Sequence, residues 1–362
     1  MTINKLPIFY TILLLVIFFN SAFSQVADSS KIEPEEDYSQ YGSTEESIKY
    51  CTQKVRFLSP TKLISIGYEF QAPFSTVFEI KKPTGLQTLV ALSPQEQKIE
   101  YFGGPRWQAN APVISNNKFI LNLSANYYES FIKAKSSNQN IYAEENVLTS
   151  LKPGLRTMGI SATAFKPLDD RHFIIGSAMG DFNGNFTWDN FTEYFPRPTL
   201  TFAALYGWKK SDNFMWALGA TQTWRGGELL YVPLLLFNKT FSDKWGLEVL
   251  LPARAHVRYN FSPQSLLLAG FEVEGNSYRL LTPSDPIFNK GISHLRRSEL
   301  KFRMIYERKL FGFVWLSVQA GYRYNYKFNF SEERTSKRGD FVVTSKLGNP
   351  LYAGISLNLV SP

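Results

Sequence analysis

The sequence predicts an all-β protein, a transmembrane antiparallel up-and-down β-barrel of about 12–14 strands that is exported before it folds. Three observations carry that prediction. The stretch FVWLSVQAGYRYNYKFNF, Phe313 to Phe330, splits by parity into two faces. Val314, Leu316, Val318, Ala320, Tyr322, Tyr324, Tyr326 and Phe328 make an oily face, and Ser317, Gln319, Arg323, Asn325 and Lys327 a wet one. Side chains alternate across a strand, so this is a ribbon built to separate two environments. Second, short and long connections largely alternate along the second half of the chain, the layout of a barrel with turns at one end and loops at the other. Third, the N-terminus reads as an export signal.

That signal comes first in chain order. Lys5 supplies a cation, LPIFYTILLLVIFF an apolar core, and SAFSQ small residues at Ala22 and Ser24, which places cleavage between Ser24 and Gln25 and assigns residues 1–24 to a signal peptide. Residues 25–60 are polar and acidic and are expected to form a disordered periplasmic leader. Residues 61–362 are expected to form the barrel. Its strands include LISIGYEFQ, KFILNLSANYY, TLTFAALYGW, NFMWALGATQTW and PLYAGISLNLV, each with period-two alternation. Short connections fall at 166–171, 209–213, 241–244, 262–265 and 307–312, and Pro252 marks a further reversal. The segment 72–117 is the weak point of this pattern and is left open between wall strands and an insertion into the lumen or over its mouth.

A sheet can span lipid only when it closes on itself, because every backbone N–H and C=O must be paired there. The oily face then meets acyl chains, with Trp208, Trp216, Trp224 and the three tyrosines of the C-terminal ribbon at headgroup level. Parity sends a charged set inward: Arg254, His256, Arg258, Glu272, Glu274, Arg297, Glu299, Lys301, Arg303, Glu307, Arg323 and Lys327 are the candidate lumen-lining residues. A cation on the lipid side near the midplane would cost about 2–4 kcal/mol, which enforces the assignment. Two roles are open for this set. Cross-strand ion pairs would fill and rigidify the barrel, and an Arg/Lys excess would line a pore that attracts anions.

Composition narrows the chemistry. The formal charge is +8, but an export signal and the lack of a Lys/Arg run on a helix point away from nucleic acid. A single cysteine, Cys51, excludes an intramolecular disulfide and a Cys-based zinc cluster. His172, His256 and His294 are far apart and lack metal-ligand spacing, so no metal or other cofactor is expected. No nucleophile elbow, zincin or phosphate-loop motif occurs. His172 beside Asp169 and Asp170, and His294 near Ser293 and Ser298, are the sequence neighbours that could suggest an enzyme, and the chain is not expected to be one. Sequons at Asn122, Asn185 and Asn190 match a short pattern that arises by chance.

The signal ending SAFSQ, the segment EVLLPARAHVRYNFSPQSLLLAGFEVEGNSYRL and the terminal strand PLYAGISLNLV together resemble a family of outer-membrane β-barrel proteins of Bacteroidota. The likeness runs from about Thr61 to the end and implies a barrel without implying a substrate. It departs from many such proteins in ending LVSP rather than on an aromatic residue recognised by the assembly machinery. The expected partners are outer-membrane lipid, small solutes and that barrel-assembly machinery. The expected function is a passive or facilitated channel for small solutes, anionic ones among them. A barrel plugged by its own side chains, with a structural or surface-interaction role, is the second reading, and an outer-membrane enzyme the third.

Overall fold

The computed structural model describes residues 50–80, 95–135, 147, 150–193, 198–225, 228–281, 291–332 and 341–361. The expected signal peptide, and residues 25–49 of the expected leader, lie outside the described residues. The chain runs through β1 (Lys62–Gln71), β2 (Phe74–Ile80), β3 (Gln95–Asn116), β4 (Phe119–Lys135), β5 (Leu155–Pro167), β6 (His172–Gly184), β7 (Thr199–Ser211) and β8 (Phe214–Arg225). It continues through β9 (Glu228–Thr240), β10 (Trp245–Leu251), β11 (Arg254–Ser262), β12 (Ser265–Leu281), β13 (Ile292–Phe311), β14 (Val314–Ser331), β15 (Val343–Leu347) and β16 (Leu351–Val360). Among the described residues no helix is long and apolar enough to cross a membrane.

Neighbouring strands pair antiparallel from β3 through β14, β14 pairs with β16, β16 with β1, and β1 returns to β3. Fourteen wall positions therefore close into an antiparallel barrel. β2 and β15 pair with each other and extend the positions of β1 and β16, so each of these two positions holds one interrupted strand. The interruptions fall at Ala72–Pro73 and Gly348–Pro350, where a proline cannot donate to the ladder. Ala72 N–H instead reaches Leu351 O at 2.9 Å, and Gly348 N–H reaches Ser75 O at 2.7 Å. The segment 72–117, left open by the sequence, is wall wherever it is described. Gly103, Gly104, Pro105 and Pro112 hide the alternation of β3 from a period-two reading.

Short turns at 117–118, 168–171, 212–213, 241–244, 263–264 and 312–313 gather at one end of the barrel, together with Lys62 and Val360. The longer connections join strands at the other end, where two brief reversals also fall, one between β8 and β9 and one at Pro252–Ala253. The second reversal makes β10 and β11 short. Glu228 to Leu234 of β9 and Val273 to Leu281 of β12 rise past it, so the wall is lowest there.

Parity changes partway up four adjacent wall positions. Glu299 of β13 faces Asn325 of β14 but Ser298 faces Lys327, which leaves Tyr326 as an extra residue, a β-bulge. Phe328 and Phe330, expected from unbroken alternation on the oily outer side, turn inward and are buried, and Lys327 turns outward with Ser298. The Lys327 ammonium lies 5.6 Å from the centre of the Phe341 ring, so it is not a lumen residue. β3 has the same device at Glu100, and the two proline breaks do the same for β1/β2 and β15/β16. Below this level the outer wall is apolar and exposed, with Ile66, Phe302, Met304, Val318, Ile355 and Leu357 among its residues. Aromatics belt it at both edges. Tyr322, Tyr324 and Tyr326 lie toward the long-connection end. Trp208 stacks on Trp216 at 4.4 Å and Trp245 meets Tyr259 at 4.7 Å toward the short-turn end. The Trp224 side chain lies outside those described.

Candidate functional site

The barrel interior is layered. At the long-connection end an apolar cluster joins Phe78, Ile99 and Phe102 to Leu151, Leu280, Leu295, Phe328 and Phe330. At the short-turn end Cys51 and Val55 pack with Phe165, Phe173, Leu205 and Met215, and Leu266, Ile305, Trp315 and Val360 form a second cluster. Charged and polar side chains occupy the space between.

Residues 50–60, expected to belong to a disordered leader, instead form a strap across the short-turn end. Cys51 N–H donates to Asp169 O at 2.9 Å and Arg56 N–H to Asp212 O at 2.8 Å. Lys209 donates to Thr52 O at 3.1 Å and Lys54 O at 2.9 Å, and Thr240 Oγ1 to Arg56 O at 2.7 Å. Ser59 N–H and Oγ both donate to the Glu248 carboxylate, at 3.0 and 2.7 Å. The strap holds because its backbone groups meet donors and acceptors from several separate turns and strands, each bond contributing about 0.5–1.5 kcal/mol net.

Above the strap lies a chamber of about 690 Å³. Ser59, Pro60 and Thr61 form its floor. One wall carries neutral polar groups, Gln108, Asn110, Asn126, Tyr128 and Thr157, with Asp181 among them. The other is charged. Four cations, Lys62, Arg106, Arg254 and Arg303, and six carboxylates, Glu69, Asp181, Glu248, Glu272, Glu274 and Glu307, line the chamber in all. Behind that surface lie Arg258, Arg297, Lys301, Arg323 and Glu299, each buried.

These groups form a lattice rather than a row of free charges. Glu299 accepts from Arg297 at 2.8 Å and Arg323 at 3.0 Å, with Lys301 at 3.4 Å. Glu69 holds Arg106 at 3.0 Å and also takes Arg323. Lys301 reaches Glu274 as well. Arg303 pairs with Glu272 at 2.6 Å, Lys62 with Glu307 at 2.6 Å, and Arg258 with Glu248 at 3.0 Å. Four of the cations lean on aromatic faces, Arg297 over Phe102 and Arg323 over Tyr352 at 4.7 Å, Arg106 over Tyr128 at 5.0 Å and Lys301 over Tyr352 at 5.9 Å. Arg258 is fully buried because Gly246 opposite it leaves room: a Cβ there would collide with the guanidinium. His256 sits beside Arg303, Nε2 to Nε 3.5 Å, on the same inner face.

The structure thus brings together eleven of the twelve residues selected by parity, Arg254, His256, Arg258, Glu272, Glu274, Arg297, Glu299, Lys301, Arg303, Glu307 and Arg323, and leaves Lys327 outside. It adds Lys62, Glu69, Arg106, Asp181 and Glu248. Glu69 was legible, since LISIGYEFQ puts it opposite Tyr68 and Phe70. Arg106 lies in the segment whose alternation is masked, and Glu248 in a strand of seven residues.

The Asp169–His172 neighbours resolve into turn chemistry. Asp169 caps its turn, accepting from the N–H of Arg171 and His172 at 2.7 and 2.6 Å and facing His172 Nδ1 at 2.7 Å. Those bonds, the Arg171 N–H first, hold its carboxyl below the usual range. Cys51 Sγ points to the His172 backbone oxygen, not its ring, at 3.5 Å. Burial pushes the thiol pKa up, which disfavours the nucleophilic thiolate. Among the described residues no three His, Cys, Asp or Glu side chains converge on a metal position.

Solved structures with similarity to the chain include a FadL homologue from Pseudomonas aeruginosa, at 12% identity over 83% of this chain and 90% of that one, with a TM-score of 0.37. The toluene transporter TodX of Pseudomonas putida is similar at 7% identity over 86% of this chain and 95% of that one, with a TM-score of 0.33. No curated protein matches. The profile of a family described as a domain of unknown function, DUF6268, matches residues 121–359, from β4 to the last strand. The chain belongs to the DUF6268 family.

Proposed function

We propose that the protein is an outer-membrane barrel that passes small polar solutes through its mid-barrel chamber, with the strap as the closure at the short-turn end. The chamber carries this reading. Its volume, about 690 Å³, is that of a small-molecule site, and its lining is mostly hydrophilic. The exposed apolar band, edged by aromatics, fits the wall to lipid, and short turns fit the periplasmic side. The anion-attracting pore weighed from the sequence is weakened by the lattice. The chamber and the groups stacked behind it hold eight cations against seven carboxylates, so little net field is left to select ions. One observation favours the plugged barrel instead: apolar side chains fill the interior at both ends.

A reversible staple separates the two readings. Arg56 N–H is bonded to Asp212 O at 2.8 Å, which brings the two backbones close enough for a disulfide to be engineered between these positions. In a Cys51→Ser background, Arg56→Cys with Asp212→Cys should lock the strap when oxidised. In liposomes, glucose-driven swelling is expected to fall about fivefold or more on oxidation and to return with dithiothreitol, as for any gate pinned shut. Swelling that ignores the redox state would remove the strap from the path. No swelling in either state, nor in the unaltered protein, would leave the plugged barrel.

A further inference from the structure

Three of the four cations lining the chamber are engaged. Lys62 has Glu307 at 2.6 Å, Arg106 has Glu69 at 3.0 Å, and Arg303 has Glu272 at 2.6 Å. The four stacked behind them are also paired. Arg254 differs: no carboxylate of the described residues lies within 4.0 Å of its guanidinium. Strand register sets Arg254 opposite Glu272, the natural partner, but Glu272 is drawn to Arg303 from the other side. Across β10 it faces only Leu250. Arg254 is exposed, faces the chamber, and is the first residue after the Pro252–Ala253 turn, where the wall is lowest.

The geometry points to Arg254 as the anchor for the carboxylate of a small polar solute, a monoanion such as a hydroxy acid or sugar acid. This rests on the conduit reading above and names the solute class. A guanidinium offers two parallel N–H donors to a carboxylate, a fit that neither water nor chloride reproduces. The amides and hydroxyls of Gln108, Asn126 and Tyr128 suit the hydroxylated body of such a solute. A dianion is disfavoured, since its second charge would face the carboxylates of the lining with no free cation among the described residues to meet it.

Titration calorimetry on the folded barrel in detergent tests this with three probes, gluconate, glucose and sulfate. Gluconate is expected to bind about tenfold or more tightly than the others, the effect of one charge-assisted pair. Arg254→Gln should bring gluconate down to the level of glucose, and Arg254→Lys should retain part of the preference because it keeps the charge without the fork. Arg254 lies at the lip and holds no lattice partner, so both variants should keep the heat-shifted gel mobility of the parent. Gluconate binding that survives Arg254→Gln, or never exceeds that of glucose, would overturn the assignment, and so would sulfate binding most tightly. These outcomes leave glucose flux untouched, whereas failure of the staple experiment leaves gluconate binding untouched, so the two proposals can fail separately.

Discussion

Val318→Arg is expected to abolish recovery of folded barrel from the membrane, while Gln319→Arg, one residue along, leaves recovery near that of the parent. Val318 is 42% exposed on the outer wall, level with Tyr306 of β13 and Ile355 of β16. A guanidinium there would face acyl chains from the middle of an apolar run, at a cost of about 2–4 kcal/mol near the midplane. That is a large share of the roughly 5–15 kcal/mol that stabilises a typical fold. Gln319 points the other way and already donates to Glu69 at 3.2 Å, so an arginine there meets a carboxylate. The measurement is the heat-shifted band on unboiled gels of membrane fractions. Equal recovery of the two variants would mean that the wall does not meet lipid, and recovery of Val318→Arg alone would mean that the outer and inner faces are exchanged.

Glu299→Ala is expected to be the most damaging single change in the lumen. Glu299 is 1% exposed and holds three cations, Arg297, Lys301 and Arg323, drawn from β13 and β14. Removing one partner of a buried pair costs about 3–5 kcal/mol, because the remaining charge stays buried without compensation. Here three charges share the loss, though Lys301 keeps Glu274 and Arg323 keeps Glu69. Unfolding on a temperature series before electrophoresis should therefore begin well below that of the parent. Glu307→Ala, which frees only the partly exposed Lys62 and the Ser317 hydroxyl, should be milder. A Glu299→Ala barrel as heat-resistant as the parent would show that the lattice does not stabilise the fold.

The wall was legible in the sequence wherever nothing interrupts the two-residue period. β12, β13 and β14 up to Asn325 show which side chains go in and which go out, because a slip of one residue would exchange an apolar outer face for a polar inner one. What parity could not supply was partnership. Whether Arg323 is a free pore cation or the clasp between Glu299 and Glu69 depends on register across three strands and on a closure between β1 and β16 at opposite ends of the chain. The strap left no periodic trace, since Lys209, Thr240 and Glu248 bind its backbone and the hydroxyls of Thr52 and Ser59 rather than an alternating face. The segment 72–117 hid its strands behind glycine and proline. A bulge is hardest of all to foresee, for Tyr326 looks in composition like Tyr324 before it.

That bulge has a consequence for how the molecule meets its surroundings. Below Tyr326, Glu100 and the two proline breaks, the protein is inside-out, apolar on its outer face and polar within. Above them it has the ordinary polarity of a water-soluble domain, with Phe78, Ile99, Leu295 and Phe330 as its core and Glu79, Glu96, Lys98, Lys133 and Lys327 on the outer side. Four neighbouring wall positions change over at one height, and under the proposed membrane placement that height is where hydrocarbon would end. The upper portion takes its cohesion from its own apolar centre, so under the proposed membrane placement it would stand clear of the lipid.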